Sequence, residues 1–223
     1  MIVGIDEAGR GPVIGPLVIC GVAVKKNEIF KLEEIGLRDS KKISSRRRIE
    51  LREVLEEIVE KYHVRIISPR ELDEKRKRTT LNKIEALEFA KIISELSPEI
   101  AIVDACDRDP VNFLSDINHY LRNQFRIENQ KIICEHFADE KYPIVSAASI
   151  FAKVIRDLEI EKIRERYGDV GSGYTSDPVT INFLKEWIKI NDEYPDFVRK
   201  SWIAAKKIKE AKFQRKLSEW GPI

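Results

Sequence analysis

The chain has 223 residues and a formal net charge of +2; 43% of its residues are hydrophobic and 35% are charged. This length is enough for one domain, or one domain with an appendage, and the hydrophobic content excludes a disordered protein. The sequence contains neither an apolar run near the ~20 residues that span a bilayer nor the pattern of a signal peptide. We therefore expect a cytoplasmic protein.

The three cysteines, Cys20, Cys106 and Cys134, lie in or beside apolar runs and lack the C-x-x-C spacing of a metal or redox site. We predict buried thiols in a reducing compartment and neither a zinc site nor a disulfide framework.

The charged residues favour a thermophilic source and a polyanionic partner. Lys, Arg, Glu and Ile are abundant, which is typical of thermophile proteins with surface ion pairs. The segment 199–216 is strongly basic, with Glu210 as its sole acid. Such a one-sided segment is typical of a surface that meets a polyanion.

The first stretch predicts a β-hairpin that carries two acids. An apolar run over residues 2–5 ends in the adjacent carboxylates Asp6 and Glu7. A glycine-rich turn over residues 8–12 follows, and then a second apolar run over residues 17–24. This pattern is that of a strand, a turn and a second strand.

Carboxylates at the end of a buried strand cost free energy unless a positive group meets them. A divalent metal and the Arg10 guanidinium are the two candidates, and a solvated acidic turn is the alternative. Since adjacent strand residues face opposite sides of a sheet, Asp6 and Glu7 can share a site only if the strand bends there. The nearby Gly9 and Gly11 lead us to expect such a bend.

The remaining predicted elements alternate between helices and strands. The predicted helices span about 46–61, 81–96, 114–125, 144–167, 179–190 and 201–217, and the predicted strands 64–67, 100–103 and 131–134. Strands come first, strand–helix alternation follows, and the last elements are helices. This order predicts an α/β fold with a mixed five-stranded sheet flanked by helices and with a helical C-terminal extension.

Four carboxylates stand at the ends of three predicted strands. Asp6 and Glu7 end the first, Asp104 ends the fourth, and Asp139 lies just beyond the fifth. If these strands are neighbours with matching direction, the acids converge and repel one another unless a hard divalent cation binds them. Such a site suits two Mg²⁺ or Mn²⁺ ions that activate water for phosphodiester cleavage.

Several motifs together resemble one known family, type 2 ribonuclease H (RNase HII), most closely its archaeal members. They are GIDEAGRGPVIGPLV from Gly4, the DSKK loop from Asp39, Asp104 after IAIV, ADEKYPIVSAASIFAKVIRD from Ala138 and GSGYTSDP from Gly171. The resemblance covers roughly residues 1–180 in the order of the family. It implies an RNase H-like catalytic domain over residues 1–170, with a helical, substrate-binding extension over 171–223 packed on it.

The resemblance also implies an activity. Members hydrolyse the RNA strand of RNA·DNA hybrids and cut on the 5′ side of single ribonucleotides embedded in duplex DNA, which leaves a 3′-hydroxyl and a 5′-phosphate. We expect a monomer. The alternatives are another nuclease or recombinase of this fold, or a hybrid-binding module without catalysis. A nucleotide triphosphatase is excluded because no GxxxxGK[ST] motif occurs.

The family's functional residues fall on named positions of this chain. Asp6, Glu7, Asp104 and Asp139 match the four catalytic, metal-binding acids. Gly9, Arg10 and Gly11 match the segment whose backbone reads the 2′-hydroxyl, and Tyr174 matches the tyrosine that stacks on the sugar of the following deoxynucleotide. Contact with phosphate, or support of the site, is implied for Lys42, Ser146, Ser149 and Lys153.

The chemistry of these residues agrees with the implied roles. A glycine-flanked backbone can approach a ribose closely, and the 2′-hydroxyl separates RNA from DNA. An aromatic side chain on a glycine loop suits stacking. Ser146, Ser149 and Lys153 share one helical face near a helix N-terminus, where phosphate can bind.

Structural alternatives stand beside several of these roles. Tyr174 can be a tyrosine at the edge of the core, and Lys153 can simply pair with Asp157. We interpret His136 as structural. The acids that follow Asp104, namely Asp107 and Asp109, are interpreted as a solvated turn.

The chain departs from the family pattern in two places. Many relatives have Pro where this chain has Thr175, which predicts a less rigid Tyr174 loop. Near the C-terminus, Gln214, Leu217 and Trp220 resemble the peptide that binds sliding clamps, although Gly221 stands where a second aromatic residue is expected. The alternative is a helix that ends in a packed tryptophan.

Overall fold

The structure is a computed structural model that describes residues 1–37 and 44–219, with the side chains of the last helix described up to residue 212. The chain forms two compact units, each built from three segments. The first unit comprises residues 1–8, 18–66 and 79–157, and the second comprises 9–17, 67–78 and 158–223. The domain boundary after residue 170 stays a prediction.

The five strands form one mixed sheet, as predicted. They are β1 (Ile2–Ala8), β2 (Leu17–Val24), β3 (Lys61–Ile67), β4 (Ile100–Asp104) and β5 (Lys131–Glu135), in the order β3-β2-β1-β4-β5. β1 is antiparallel to β2 and parallel to β4, and β4 is parallel to β5. β1 and β4 are apolar on both faces because helices cover this part of the sheet on both sides.

The described helices accompany the sheet and continue beyond it. They are α1 (Phe30–Glu34), α2 (Ser45–Glu56), α3 (Pro69–Arg76), α4 (Leu81–Leu96), α5 (Pro110–Phe125), α6 (Ala138–Lys141), α7 (Pro143–Tyr167), α8 (Pro178–Ile190) and α9 (Ile203–Glu219). Ser44 caps α2 and Thr80 caps α4, since their hydroxyls accept from Arg47 N and Lys83 N. Among the described residues, none of these helices is long and apolar enough to cross a membrane.

Several elements differ from the sequence prediction, among them the helix predicted over 46–61 and the region before α4. The predicted helix over 46–61 ends at Glu56, because residues from Lys61 onward pair in β3. Helix α3 is absent from the predicted helices; it begins at Pro69 after the N-cap Ser68 and runs through a charged stretch from Glu71. A serine followed by proline is a helix-start signal that the charge pattern obscured.

Two glycines set the approach of α4 and α7 to the sheet in the first unit. A Cβ added to Gly4 would lie 2.4 Å from backbone atoms of Ile144 in α7, and one added to Gly21 would lie 2.3 Å from the Ile92 side chain in α4. Gly21 pairs with Ile5, so it shares the face of the sheet to which Ile5 points. Helix α7 therefore covers the face of Gly4, and α4 covers the opposite face.

The second unit has its own apolar core. Its buried residues come from the loop between β1 and β2, the C-terminal half of α7, α8 and the segment before α9, and include Ile14, Ile160, Leu184 and Val198. An isolated antiparallel bridge joins Ile14 to Val198. The loop after β1 is thus a structural part of the second unit.

Candidate active site

The strand register brings the predicted acids to one edge of the sheet. β1 and β4 are parallel with Ile5 opposite Val103, so Asp6 and Asp104 follow at the same level. The Asp104 carboxylate accepts a hydrogen bond of 2.7 Å from the Ala138 amide. This bond holds the start of α6, whose second residue is Asp139.

The other three acids all act electrostatically on the buried Asp6. Asp6 is only 5% exposed. Burial is the largest cause that raises the pKa of Asp6 well above its ordinary value, and repulsion from Glu7, Asp104 and Asp139 adds to it, while the Ser149 hydroxyl opposes the rise. A cluster that resists ionisation in this way is relieved by a divalent cation, and its all-oxygen carboxylate ligands fit a hard ion such as Mg²⁺ or Mn²⁺.

The pairing of β1 with β2 is continuous at the two adjacent acids. The ladder between β1 and β2 stays regular through Asp6, Glu7 and Ala8. Asp6 therefore lies on the face of Gly4, which α7 covers, and Glu7 lies on the face of Ile5, which α4 covers. The two side chains leave the strand on opposite faces, but their carboxylates stay close enough for Glu7 to raise the pKa of Asp6.

On its own face Glu7 meets two residues that the sequence analysis did not place in the site. The Cys106 thiol donates to Glu7 Oε2 at 3.1 Å. The ligand atoms of Glu7, Cys106 and the fully buried Glu85 all lie within 4.8 Å of one another. Glu85 shares a helical face with the buried Phe89 and Ile92 of α4, and an acid at such an apolar position was the signal available in the sequence.

The residues predicted on α7 divide into different roles. Ser146 is buried, and its hydroxyl donates to the Leu37 carbonyl at 2.7 Å, so it supports the fold beside the site. Ser149 is buried and interacts with Asp6. Lys153 is half-buried. Lys42 lies outside the described residues.

The structural interpretation of His136 agrees with the observed contacts, whereas the alternative that pairs Lys153 with Asp157 does not. Asp157 pairs with Arg48 at 2.9 Å rather than with Lys153, because α2 packs close to α7. A ring nitrogen of His136 lies 3.1 Å from the Arg108 carbonyl. Asp109 caps α5 through a bond from the Val111 amide.

The second unit brings the glycine-rich segment together with Tyr174. A Cβ added to Gly11 would lie 3.8 Å from the Tyr174 ring. The amides of Val13 and Ile14 donate to the Gly173 carbonyl at 2.8 and 3.2 Å. Tyr174 is 41% exposed, so part of its ring lies at the surface.

The loop that carries Tyr174 is held without the proline of many relatives. Thr180 accepts from the Gly173 amide at 2.9 Å, and Asp177 accepts from the Ser172 amide at 2.6 Å. The Asp177 amide in turn donates to the Tyr174 carbonyl at 3.1 Å. These bonds fix the loop around Thr175 by side-chain capping.

One predicted role of the basic C-terminal segment is wrong for its first residue. Arg199 is fully buried, and its guanidinium donates to the carbonyls of Gly9, Arg10 and Gly15. A side chain enclosed in this way cannot meet a polyanion. The charge pattern alone did not distinguish this arginine from the exposed lysines that follow it.

The mixed sheet and the four clustered carboxylates define a metal-dependent nuclease of the RNase H-like class. The family model for Ribonuclease HII matches residues 3–205. The chain belongs to the ribonuclease HII family, and it is an enzyme, a metal-dependent endonuclease of the ribonuclease H type. This membership excludes the alternative of a binding module without catalysis.

Individual relatives agree over nearly the whole chain. Ribonuclease HII of Pyrococcus furiosus is 45% identical over 93% of this chain and 91% of its own length. Ribonuclease HII of Methanococcus maripaludis is 42% identical over 99% of this chain and 92% of its own length.

Solved structures confirm the predicted RNase H-like fold. Ribonuclease H2 from Pyrococcus horikoshii OT3 superimposes with a TM-score of 0.86 at 42% identity, over 96% of this chain and 99% of that one. RNase HII from Archaeoglobus fulgidus, solved in a PCNA:RNase HII complex, gives 0.84 at 44% identity, over 93% and 96%.

Proposed function

We propose that this enzyme hydrolyses the RNA strand of RNA·DNA hybrids and cuts on the 5′ side of single ribonucleotides embedded in duplex DNA. The observation that carries the proposal is the cluster of four carboxylates around the buried Asp6. Cleavage of a phosphodiester that leaves a 3′-hydroxyl and a 5′-phosphate needs activated water and stabilisation of the leaving oxygen. Two divalent ions held by these acids supply both when bound.

The chain's own residues hold and orient the site. In our proposal Asp6 and Asp104 flank the ions, and Glu7 and Asp139 complete their coordination. The bond from the Ala138 amide fixes the orientation of the Asp104 carboxylate. The Cys106 thiol restrains Glu7 in the same way. The reaction needs no covalent protein intermediate, so no serine or cysteine acts as a nucleophile.

Recognition of the ribonucleotide is assigned to the second unit. Gly9, Arg10 and Gly11 offer a backbone without bulky side chains at its two glycines, which suits close approach to a 2′-hydroxyl. The exposed ring of Tyr174, beside Gly11, is proposed to stack on the sugar of the next deoxynucleotide. In the chain only Ala8 separates Glu7 from this segment.

The decisive test is cleavage of a DNA duplex that contains one ribonucleotide, end-labelled on that strand, with Mg²⁺, with Mn²⁺ and with a chelator. We expect a single metal-dependent cut on the 5′ side of the ribonucleotide. Cleavage confined to long RNA·DNA hybrids would contradict the junction role of Tyr174. Absence of any cut with either metal would overturn the proposed chemistry.

Replacing Tyr174 with Ala tests the recognition step. We expect cleavage at a single ribonucleotide to fall about tenfold, since aromatic stacking contributes about 1–3 kcal/mol per base. Cleavage of a long hybrid should fall less, and the thermal unfolding midpoint should change little because the ring is 41% exposed. Tyr174→Phe keeps the ring and is the matched control. Equal rates for Tyr174→Ala and the parent would make Tyr174 structural.

We also propose that Gln214, Leu217 and Trp220 bind a sliding clamp. Trp220 and the side chains of Gln214 and Leu217 lie outside the described part of the chain. The support is the sequence pattern and the A. fulgidus relative that was solved in a PCNA:RNase HII complex.

Truncation after Lys212 is expected to abolish stimulation by the clamp. It should leave cleavage of a short duplex within about twofold of the parent, because the truncated chain keeps every residue assigned to the acids and to ribonucleotide recognition; twofold is about 0.4 kcal/mol. Lys212 itself donates to the Asn191 carbonyl at 2.9 Å and is retained, so the packed part of α9 is kept. The double variant Gln214→Ala, Trp220→Ala is the milder control. Clamp stimulation that survives truncation would contradict the proposal.

A further inference from the structure

Arg199 is the largest fully buried side chain of the described residues. Its hydrogen bonds go to the loop between β1 and β2. Its Nη1 donates to the Arg10 carbonyl at 2.9 Å, its Nε donates to the Gly15 carbonyl at 3.0 Å, and its Nη2 donates to the Gly9 carbonyl. Its backbone amide donates to the Val13 carbonyl at 2.8 Å. One residue thus holds four carbonyls of the segment that follows β1.

Trp202 extends this contact by one residue. Its indole N–H donates to the Gly11 carbonyl at 3.2 Å. The guanidinium carbons of Arg199 and Arg76 each lie 4.8 Å from the centre of the Trp202 ring. The carbonyls of Gly9, Arg10 and Gly11 therefore all accept hydrogen bonds from Arg199 or Trp202.

The segment that carries these two residues is itself anchored. The Asp73 carboxylate in α3 accepts from the Lys200 amide at 2.7 Å and from the Ser201 amide at 3.1 Å. The backbone between Arg199 and Trp202 is thus tied to α3 within the second unit. A rigid donor pair of this kind fixes the direction of the peptide groups that it binds.

The chemistry explains why an arginine is used. A buried charge is costly unless it is fully hydrogen-bonded, and a packed apolar residue would serve stability alone at lower cost. The planar guanidinium offers donors in a fixed fork, which can bind several carbonyls in a set geometry, whereas a lysine ammonium acts as a point charge on a flexible stem. We therefore interpret the buried arginine as a residue that fixes the backbone geometry of the loop after β1.

We propose that Arg199, assisted by Trp202, is a positioning residue for discrimination between RNA and DNA. By fixing the three consecutive peptide groups of residues 9–11, it presents them in the orientation that meets the 2′-hydroxyl. This inference rests on the proposed function, in which that backbone reads the ribose.

The test measures binding, so that it does not depend on cleavage. All proteins carry Asp104→Asn to prevent hydrolysis, and Mg²⁺ is present. The readout is the ratio of two dissociation constants, that of an all-DNA duplex to that of the same duplex with one ribonucleotide. In the Arg199→Lys variant we expect this ratio to fall about tenfold, the effect of losing one or two of the guanidinium's hydrogen bonds. The dissociation constant of the all-DNA duplex should change little.

Trp202→Phe is the milder variant, because it keeps the ring and removes only the indole donor. We expect the ratio to fall about threefold, the lower range for one hydrogen bond. The matched control is Trp187→Phe, which removes an indole bond of 3.0 Å to the Glu193 carbonyl elsewhere in the second unit and should leave the ratio unchanged. Amide hydrogen exchange over residues 9–17 should become faster in Trp202→Phe and stay unchanged in Trp187→Phe.

The outcomes separate this inference from the proposed function. If the parent shows no preference for the ribonucleotide, the proposed 2′-hydroxyl recognition fails, and the role of Arg199 fails with it. If the parent discriminates and both variants keep its ratio, only the positioning role is overturned. Equal weakening on both duplexes would likewise make Arg199 a structural residue.

Discussion

Replacing Asp104 with Asn is expected to lower the rate of cleavage about a thousandfold or more, or about 4 kcal/mol of transition-state stabilisation. The change removes one negative charge from the cluster around Asp6. It keeps the carbonyl oxygen that can accept the Ala138 amide at 2.7 Å, so α6 and Asp139 should stay in place. Because the surrounding structure is kept, binding of an RNA·DNA hybrid should remain within about threefold of the parent, which is about 0.7 kcal/mol. Single-turnover cleavage and fluorescence anisotropy measure the two quantities.

The matched control is Asp109→Asn, which makes the same chemical change five residues further along the chain. Asp109 caps α5 by accepting from the Val111 amide at 2.9 Å, and asparagine also caps helices well. The control should therefore cleave at nearly the parental rate. Cleavage by Asp104→Asn above about a tenth of the parental rate would contradict the assignment, since loss of a metal ligand costs several kcal/mol.

The four acids were predictable because they end or follow three apolar strands. Strand ends are visible in sequence, and parallel neighbours bring such ends to one edge of a sheet. Glu85 was not predicted because its neighbours are those of an ordinary buried helix face, and only the fold brings it to Glu7. The face of the sheet toward which the Glu7 side chain points could not be predicted, because it depends on how β1 pairs with β2 at its end.

The second unit shows the limit of local patterns more strongly. Arg199 reads as part of a basic surface segment, yet it is enclosed by carbonyls that lie near the start of the chain. Burial of a charge depends on partners that are distant in sequence, and no periodicity reports them. Tyr174 was assigned to the site only by the resemblance to a family, because composition alone suits a core-edge tyrosine equally well.

Replacing Asp6 with Asn is expected to abolish cleavage and yet to stabilise the enzyme when divalent ions are removed. The pKa of Asp6 is raised well above its ordinary value of 3.8, mainly by burial and then by Glu7. The folded state therefore holds this proton more tightly than the unfolded state does. The parent loses stability as the pH rises from the unfolded pKa through the folded one, by about 1.4 kcal/mol for each pH unit between them. The neutral amide avoids this loss.

Thermal unfolding midpoints, measured with chelator across this pH range and again with Mg²⁺, test the sign. Near neutral pH without metal, Asp6→Asn should unfold at a higher temperature than the parent, and added Mg²⁺ should raise the midpoint of the parent more. Asp177→Asn is the control in which the stability change should have the opposite sign, namely a lower unfolding midpoint than the parent near neutral pH. Bonds from Ser172, and then from Val179, lower the pKa of Asp177, so its stabilising effect is present above the unfolded pKa and is lost as the pH falls through the folded one. If Asp6→Asn is less stable than the parent without metal, Asp6 supports the fold. The repulsion among the acids would then not destabilise the metal-free enzyme, contrary to the prediction.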